Sequence, residues 1–247
     1  YGSIAADTSI AKKYAPAGRH CHSWNVGFEI YDAGRDEPLR SFGLGYLSHL
    51  AADAVAHNYF VPRQLAITSS TAGIGHSYWE SRFETHLGSR SGLKASDLIR
   101  RDHGRADALL DRILSPTIFS TSTNRRIFRG MVHTADAESW QRIFQMMLDH
   151  SRWDLTDGEV GTYLARSFDY VIDILSRSDA AEPCSLDPSG DAPLRLAKQV
   201  RRDTMRQSGP DALRQAADAH FSMPASMLTF AVQMTDPLYV PNRSASN

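Results

Sequence analysis

The sequence lacks several features that would by themselves assign a protein to a class. Cysteine occurs only at Cys21 and Cys184 among 247 residues, too few for a disulfide-dense scaffold and without the Cys-x2-Cys spacing of a zinc ribbon. No apolar run approaches the roughly 18 to 20 residues that cross a membrane. The formal net charge of -1 gives no overall attraction to nucleic acid. The substrate class must therefore be inferred from a site.

Strand signals are also scarce, because the period-2 alternation of β-branched residues is nearly absent while apolar residues recur at i, i+3 and i+4. We predict an all-α protein, a single multi-helix domain over residues 1–247, with a metal-ligand half at about 1–87 and bundle-completing helices at about 88–235. Ser96 is a candidate N-cap, and Pro and Gly residues predict a loop from Ser178 to Asp191. Helices are predicted at 38–60, 75–87, 96–114, 136–151, 157–177, 192–207 and 210–234.

The first residues, from Tyr1 to Ala6, are not a charged segment followed by a hydrophobic one, so they do not have the pattern of a signal peptide. The chain begins without a Met. We therefore expect either a processed product or a start that lies further upstream.

The most informative residues form a line with helical spacing. His49, Asp53 and His57 are each four residues apart, and His76 and Glu80 repeat the spacing nearby. Side chains four apart lie on one face of a helix and can converge on one ion or on two neighbouring ions. The surrounding residues are apolar, and an unpartnered carboxylate there would be costly to bury. The pattern favours a metal site over a solvated face with ordinary ion pairs, and such nitrogen and oxygen ligands suit zinc.

These residues, together with the Gly-Ser-Ile-Ala-Ala-Asp segment at 2–7, resemble the zinc-dependent phospholipase C family, which is related in fold and metal site to the S1/P1 nucleases. The resemblance covers approximately residues 2 to 84. The segment 45–53, Gly-Tyr-Leu-Ser-His-Leu-Ala-Ala-Asp, is similar to the family's Gly-Tyr-Leu-x-His-x3-Asp helix. The His76-x3-Glu80 closure is similar to that of the phospholipases, whereas the nucleases tend to close with Asp. The resemblance implies an all-helical fold of this type.

The resemblance also implies the metal ligands. One zinc would be held by four residues, Asp7, His22, His49 and Asp53, and a second by three, His57, His76 and Glu80, with a position left for water. His22 lies 15 residues after Asp7, which fits the family's spacing, and His20 is the alternate at 13 residues. Asp53 would bridge toward a third zinc in the family, but the upstream ligands of that zinc do not appear in this sequence. Two zinc ions are therefore expected, and a third stays open.

The activity that the resemblance implies is hydrolysis of a phosphodiester, with zinc activating water and neutralising phosphodiester oxygens. Asp7 is the candidate catalytic residue, because it could orient or deprotonate the attacking water, although simple ligation is an equal alternative. The expected partner is a phospholipid or another phosphodiester, with peripheral membrane contact allowed. A secreted or periplasmic location is expected from the resemblance alone.

Two other hypotheses stay open. The first is an S1/P1-like nuclease acting on single strands, which would need aromatic stacking platforms beside a basic groove. The near-neutral net charge and the His76-x3-Glu80 spacing make the nuclease hypothesis less favoured than the phospholipase hypothesis. The second is a zinc-stabilised structural or interaction protein that has lost catalysis. Among residues after the ligand helix, Asn58 and Arg63 are weaker candidates for phosphate contact.

Overall fold

The computed structural model describes residues 1–10, 12–16, 18–68, 72–87, 94–135, 146, 151 and 153–235. Every regular element within these residues is helical, so the all-α prediction is confirmed. Short 3₁₀ turns cover Lys12–Tyr14, Ser178–Ala180, Glu182–Ser185 and Pro210–Ala212. The α-helices are α1 Gly2–Ala5, α2 Trp24–Asp32, α3 Glu37–Val55, α4 Val61–Thr68, α5 Ala72–Leu87, α6 Ala95–Ile99, α7 Gly104–Ile113, α8 Thr121–Ala135, α9 Asp157–Arg177, α10 Asp191–Gln207, α11 Leu213–Phe221 and α12 Phe230–Thr235.

Helix α3 begins where the sequence supplies a strong cap. The Asp36 carboxylate accepts a hydrogen bond from the Leu39 amide at 3.1 Å, and Pro38 lies in the first turn, where its missing N–H has no helical partner to lose. The chain stays helical beyond α3, through a π turn at Ala56–Phe60 and then α4. The helix predicted over 38–60 is therefore wrong at its C-terminal end, because helical structure continues to Thr68.

Helix α3 supplies apolar side chains to two separate core clusters. Phe42, Tyr46 and Leu50 pack in one cluster with residues of α1, α2 and α7. Leu47 and Ala51, one residue further round the helix, pack in the other with residues of α9, α10 and α11. Because α3 is apolar on two sides, it packs against the helices of both clusters. The polar line that contains His49 and Asp53 therefore lies on a rigid element between them.

The predicted helix at 96–114 is in fact two helices, α6 and α7. The Asp102 side chain accepts a hydrogen bond from the Gly104 amide at 2.9 Å, a local contact that competes with helical pairing. Lys94, not Ser96, occupies the N-cap position of α6, so the Ser96 prediction is wrong. The predicted helix at 210–234 is likewise divided into α11 and α12, with Pro224 in the segment between them.

Helix α9 fits its prediction, because its N-terminus carries a capping box in which Thr156 and Glu159 each bond to the other's backbone amide. It packs along α3, while α10 and α11 pack against α4. The prediction of a helix at 136–151 falls almost wholly outside the described residues, and α8 was not predicted. Within the described residues, no helix combines the length and apolar character needed to cross a membrane.

Candidate metal centre

Helix α3 places His49 and Asp53, two of the predicted metal ligands, side by side. His49 Nε2 lies 3.1 Å from Asp53 Oδ2, one helical turn away, and both side chains are only 15 % exposed. His57, the third member of the line, falls in the π turn, where its Nδ1 lies 3.8 Å from the same Asp53 oxygen. Single π turns within helices are frequent at functional sites, because they re-aim a side chain.

Asp7 reaches α3 through the close packing of α1. A Cβ atom on Gly2 would lie 1.9 Å from the Phe42 carbonyl oxygen, so only glycine allows this approach of the two backbones. The Asp7 carboxylate then lies 3.3 Å from His22 Nε2 and 3.7 Å from His49 Nε2. Gly2, the first residue of the Gly-Ser-Ile-Ala-Ala-Asp segment, is thus required by the packing of α1 against α3.

His22 is held in place by α3 as well. The Tyr46 hydroxyl donates a hydrogen bond of 2.6 Å to the Cys21 carbonyl, which fixes the loop before α2. The His22 side chain is 2 % exposed, and its Nε2 lies 2.7 Å from Asp53 Oδ2 and 3.2 Å from His49 Nε2. Tyr46 is thus a supporting residue of the site. The sequence offered only its place in the Gly-Tyr-Leu segment as a sign of that role.

The structure separates His22 from its alternate, His20. His20 Nδ1 accepts a hydrogen bond of 3.1 Å from the His22 amide, and the His20 ring is not part of the cluster around Asp7 and His49. Cys21 Sγ lies 3.1 Å from His22 Nδ1, the ring nitrogen that does not face Asp53. Cys21 therefore contacts the edge of the His22 ring that faces away from Asp53, and it is not one of the clustered ligands.

A second cluster forms where α5 meets the π turn. His76 Nε2 lies 2.8 Å from Glu80 Oε1, across one turn of α5, and His57 Nε2 lies 3.2 Å from the same oxygen. His57 Nδ1 lies 2.7 Å from the Pro188 carbonyl oxygen. Because a carbonyl can only accept, Nδ1 carries a proton. The Nε2 atom of the protonated ring donates to Glu80, and in the neutral ring its lone pair is free to bind a metal ion.

The two clusters fit zinc on three grounds. The ligand atoms of Asp7, His22 and His49 lie within 4.8 Å of one another, as do those of His57, His76 and Glu80, and the ligands of a tetrahedral zinc lie about 3.4 Å apart. The donors are imidazole nitrogens and carboxylate oxygens, which zinc prefers. Finally, Asp53 Oδ2 is buried without a hydrogen bond of acceptable geometry, although His22 and His49 nitrogens lie at 2.7 and 3.1 Å. A buried carboxylate oxygen of this kind is costly unless a cation binds it.

A comparison with family models matches residues 1–118 to the model described as zinc dependent phospholipase C. This part of the chain, just under half of it, is similar to that family and is named here the phospholipase C segment. No curated protein and no solved structure gives a significant match. Both clusters lie wholly within the phospholipase C segment.

The electrostatics of the phospholipase C segment keep its carboxylates ionised. Burial alone raises the pKa of Asp53, but the attraction of three imidazoles, led by His49, outweighs it and holds that pKa well below the ordinary value. Burial likewise raises the pKa of Glu80, whereas hydrogen bonds from His57 and His76 lower it to about 2. Burial lowers the pKa of His57, and the carboxylates of Asp53 and Glu80 overcome this and raise it.

Lys12 is a cation at the first cluster that sequence reasoning missed. Its ammonium donates a hydrogen bond of 3.1 Å to Asp7 Oδ1 and lies 3.1 Å from His22 Nε2. Burial would lower the pKa of Lys12, but nearby negative groups, led by the Cys21 thiolate and then Asp7, raise it. A protonated lysine at this point can balance negative charge on a ligand. The only signal in the sequence was its nearness to Asp7.

The clusters lie between two cavities of different character. One, of about 730 Å³, is lined by polar groups that include Lys12, His20, Ser189 and Asp191. The other, of about 350 Å³, lies between α3, α5 and α9. Its lining includes the apolar side chains of Val55, Phe60, Phe83, Tyr163 and Leu164, together with His49, Glu84 and Ser167. Three carboxylates line both cavities, those of Asp7, Asp53 and Glu80. The residues of α9 and α10 that line them lie beyond the phospholipase C segment.

Arg63, which the sequence suggested as a phosphate contact, has other partners. Its guanidinium pairs with Asp218 at 2.7 Å and Glu159 at 3.2 Å, which ties α4 to α11 and α9. Asn58 donates hydrogen bonds to the Ala54 and Asp187 carbonyls, each at 2.8 Å. Both residues therefore serve the packing around the site in this structure.

Proposed function

We propose that the protein is a zinc-dependent phospholipase C that hydrolyses glycerophospholipids. In this proposal the first zinc is held by Asp7, His22, His49 and Asp53. The second is held by His57, His76 and Glu80, a set of three protein ligands that leaves a position open, as catalytic zinc sites do. Support comes from the family match and from the spacing of the side chains in each cluster.

The chemistry that zinc supplies when bound is Lewis-acid activation of water and neutralisation of phosphodiester charge. Asp7 orients the attacking water and accepts its proton in this proposal. Its side chain is 47 % exposed and lines the polar cavity, so it faces the position of a substrate. Burial raises the pKa of Asp7, but a hydrogen bond from His22 and the attraction of His49 and Lys12 hold it well below its ordinary range, which keeps the carboxylate ionised.

The observation that carries the substrate class is the position of three carboxylates between a polar and an apolar cavity. A glycerophospholipid has a charged headgroup on one side of its phosphodiester and an apolar diacylglycerol on the other. It therefore fits a site whose two sides differ in this way. The polar side offers Lys12 to the phosphate and the Asp191 carboxylate to a cationic headgroup.

A single-strand nuclease is less well supported, because bases stack on aromatic platforms beside a basic groove. Among the described residues that line the polar cavity, Lys12 and four histidines are the basic groups, and carboxylates accompany them. The aromatic residues line the opposite cavity, together with aliphatic ones. This distribution suits an acyl chain better than a charged strand.

The test uses a charge placed in the apolar cavity. Leu164, 44 % exposed, lines that cavity on α9, whereas Leu175 on the same helix is 42 % exposed and does not line it. Leu164→Asp should raise the KM for a phosphatidylcholine vesicle about tenfold or more, because desolvating a charge is costly. It should leave hydrolysis of the water-soluble p-nitrophenyl phosphorylcholine unchanged. Leu175→Asp is the matched control and should change neither.

The competing functions give different outcomes in the same assay. Zinc-loaded protein should release phosphorylated headgroup and diacylglycerol faster than it cleaves single-stranded DNA, and Glu80→Gln should abolish both products by removing a charged ligand. Faster cleavage of DNA would favour the nuclease. Zinc-loaded protein without turnover of either substrate would favour the structural role.

A further inference from the structure

A loop outside the phospholipase C segment holds His57 and two further side chains of that segment by hydrogen bonds. Residues 186–190, named here the carbonyl loop, connect the last 3₁₀ turn before α10 to that helix. Its successive carbonyls at Leu186, Asp187 and Pro188 each accept one side-chain donor. These donors are Trp24 Nε1 at 2.8 Å, Asn58 Nδ2 at 2.8 Å and His57 Nδ1 at 2.7 Å.

The carbonyl loop also touches His57 through its last residue. Gly190 has a φ of 61°, and a Cβ atom there would lie 2.4 Å from both the Cβ and the carbonyl oxygen of His57. Glycine is therefore required twice, for the left-handed backbone and for the space. The Asp187 carboxylate accepts hydrogen bonds from the Ser189 amide at 2.9 Å and the Ser189 hydroxyl at 2.7 Å, which fixes the shape of the turn.

His57 needs such a support because it lies in a π turn, where the helical hydrogen bonds that would fix a residue are shifted. The Pro188 carbonyl fixes the proton on Nδ1 and so turns Nε2 toward Glu80, 3.2 Å away. A hydrogen bond to the second ring nitrogen of a ligating histidine sets its tautomer and orientation, and losing such a bond costs metal affinity.

We propose that the carbonyl loop is the positioning element of the second zinc site, and that it sets the affinity of that site independently of the first. The proposal rests on the assignment of His57, His76 and Glu80 under the proposed function. It makes the C-terminal part of the chain a component of the metal centre. Gly190 and Pro188 are positioning residues, because they act through His57 and do not touch substrate.

The test compares two glycines. Gly190→Ala should push the carbonyl loop away from His57 and weaken the second zinc by about 10- to 100-fold in a buffered zinc titration, with the first zinc unchanged. Gly209→Ala is the matched control, because Gly209 also has a positive φ, of 80°, but a Cβ there meets nothing within 4 Å. It should leave both affinities unchanged.

A second readout reports the tautomer directly. In the zinc-loaded protein, nitrogen-15 NMR of the histidine rings should show His57 protonated at Nδ1, and Gly190→Ala should broaden or shift that signal while Gly209→Ala does not. Trp24→Phe removes one donor to the carbonyl loop without adding a clash, so it tests the same idea if Gly190→Ala fails to fold. It should weaken the second zinc selectively, by a smaller factor.

Equal weakening of both zinc ions, or no change at either, would overturn the proposal. Its failure can be distinguished from failure of the proposed function. Wild-type protein that binds two zinc ions but hydrolyses nothing would contradict the function and leave the positioning role intact. An active wild type whose Gly190→Ala variant binds both ions normally would contradict only the positioning role.

Discussion

Replacing His22 should abolish the first zinc site, and replacing His20 should not. His22 lies within 3.3 Å of ligand atoms from Asp7, His49 and Asp53, whereas His20 accepts a hydrogen bond from the His22 amide and is not among the clustered ligand groups. A ligand that binds only the folded state stabilises it by about 2.7 kcal/mol at 100 times its Kd. For a chain of this size, each kcal/mol shifts the Tm by about 2 to 4 °C. The zinc-dependent part of the stability lost in His22→Ala is therefore about 5 to 11 °C.

His20→Ala loses a hydrogen bond, worth about 1 kcal/mol, and so should lower the Tm by about 2 to 4 °C. The decisive difference is zinc dependence, because the His20 effect should be the same in chelator and in buffered zinc. The assay is thermal unfolding of both variants and wild type under the two conditions, with bound zinc measured on the same samples. A His20→Ala variant that loses zinc as His22→Ala does would refute the assignment of His22, rather than His20, as a ligand of the first zinc.

Two further predictions concern the charges. Asp53→Asn should lower the zinc affinity of the first site. In chelator it should also lower the pKa of His57, because the carboxylate that raises this pKa is gone. An NMR titration in which the pKa of His57 does not fall would contradict the prediction. Chelated protein should be most stable between about pH 4.5 and 6.5. The stabilisation from His57 is complete below its ordinary pKa of 6.5 and is lost as the pH rises through its raised folded value. The stabilisation from Glu80 is complete above 4.5 and is lost as the pH falls toward about 2. Urea unfolding in chelator across this range checks the maximum, and a steady rise in stability toward pH 9 would contradict it.

The sequence predicted the helical line of His49 and Asp53 well, because their four-residue spacing fixes which side chains share a face. It also predicted that α5 would bring His76 and Glu80 together for the same reason. It did not predict the π turn that carries His57, since the hydrogen-bond shift that forms it has no local signature comparable to a cap. Helix breaks such as that at Asp102 depend on one side-chain contact to the backbone, which a periodic pattern does not register.

The supporting contacts of the site were beyond the sequence for a different reason. Pro188 and His57 are 131 residues apart, and their hydrogen bond depends on how α10 packs. In the sequence, the segment from Ser178 to Asp191 has the pattern of a loop, and nothing in its composition marks it as part of a metal centre. Lys12 was missed because a single lysine near an aspartate has no periodic partner. Local spacing thus predicts ligands, whereas their orientation comes from long-range packing.

The charge balance of the site connects zinc loading to pH. Three carboxylates and four imidazoles meet at the site. Despite burial, the Cys21 thiolate and then Asp53 raise the pKa of His22, and Asp53 and Glu80 raise that of His57. In the chelated protein, protons held by these two imidazoles offset the charge of the carboxylates. Zinc binds only the deprotonated rings, so loading must release those protons. Zinc affinity should therefore rise with pH across the range in which the chelated protein loses stability. Over that range, bound zinc takes the place of bound protons in stabilising the fold at these side chains.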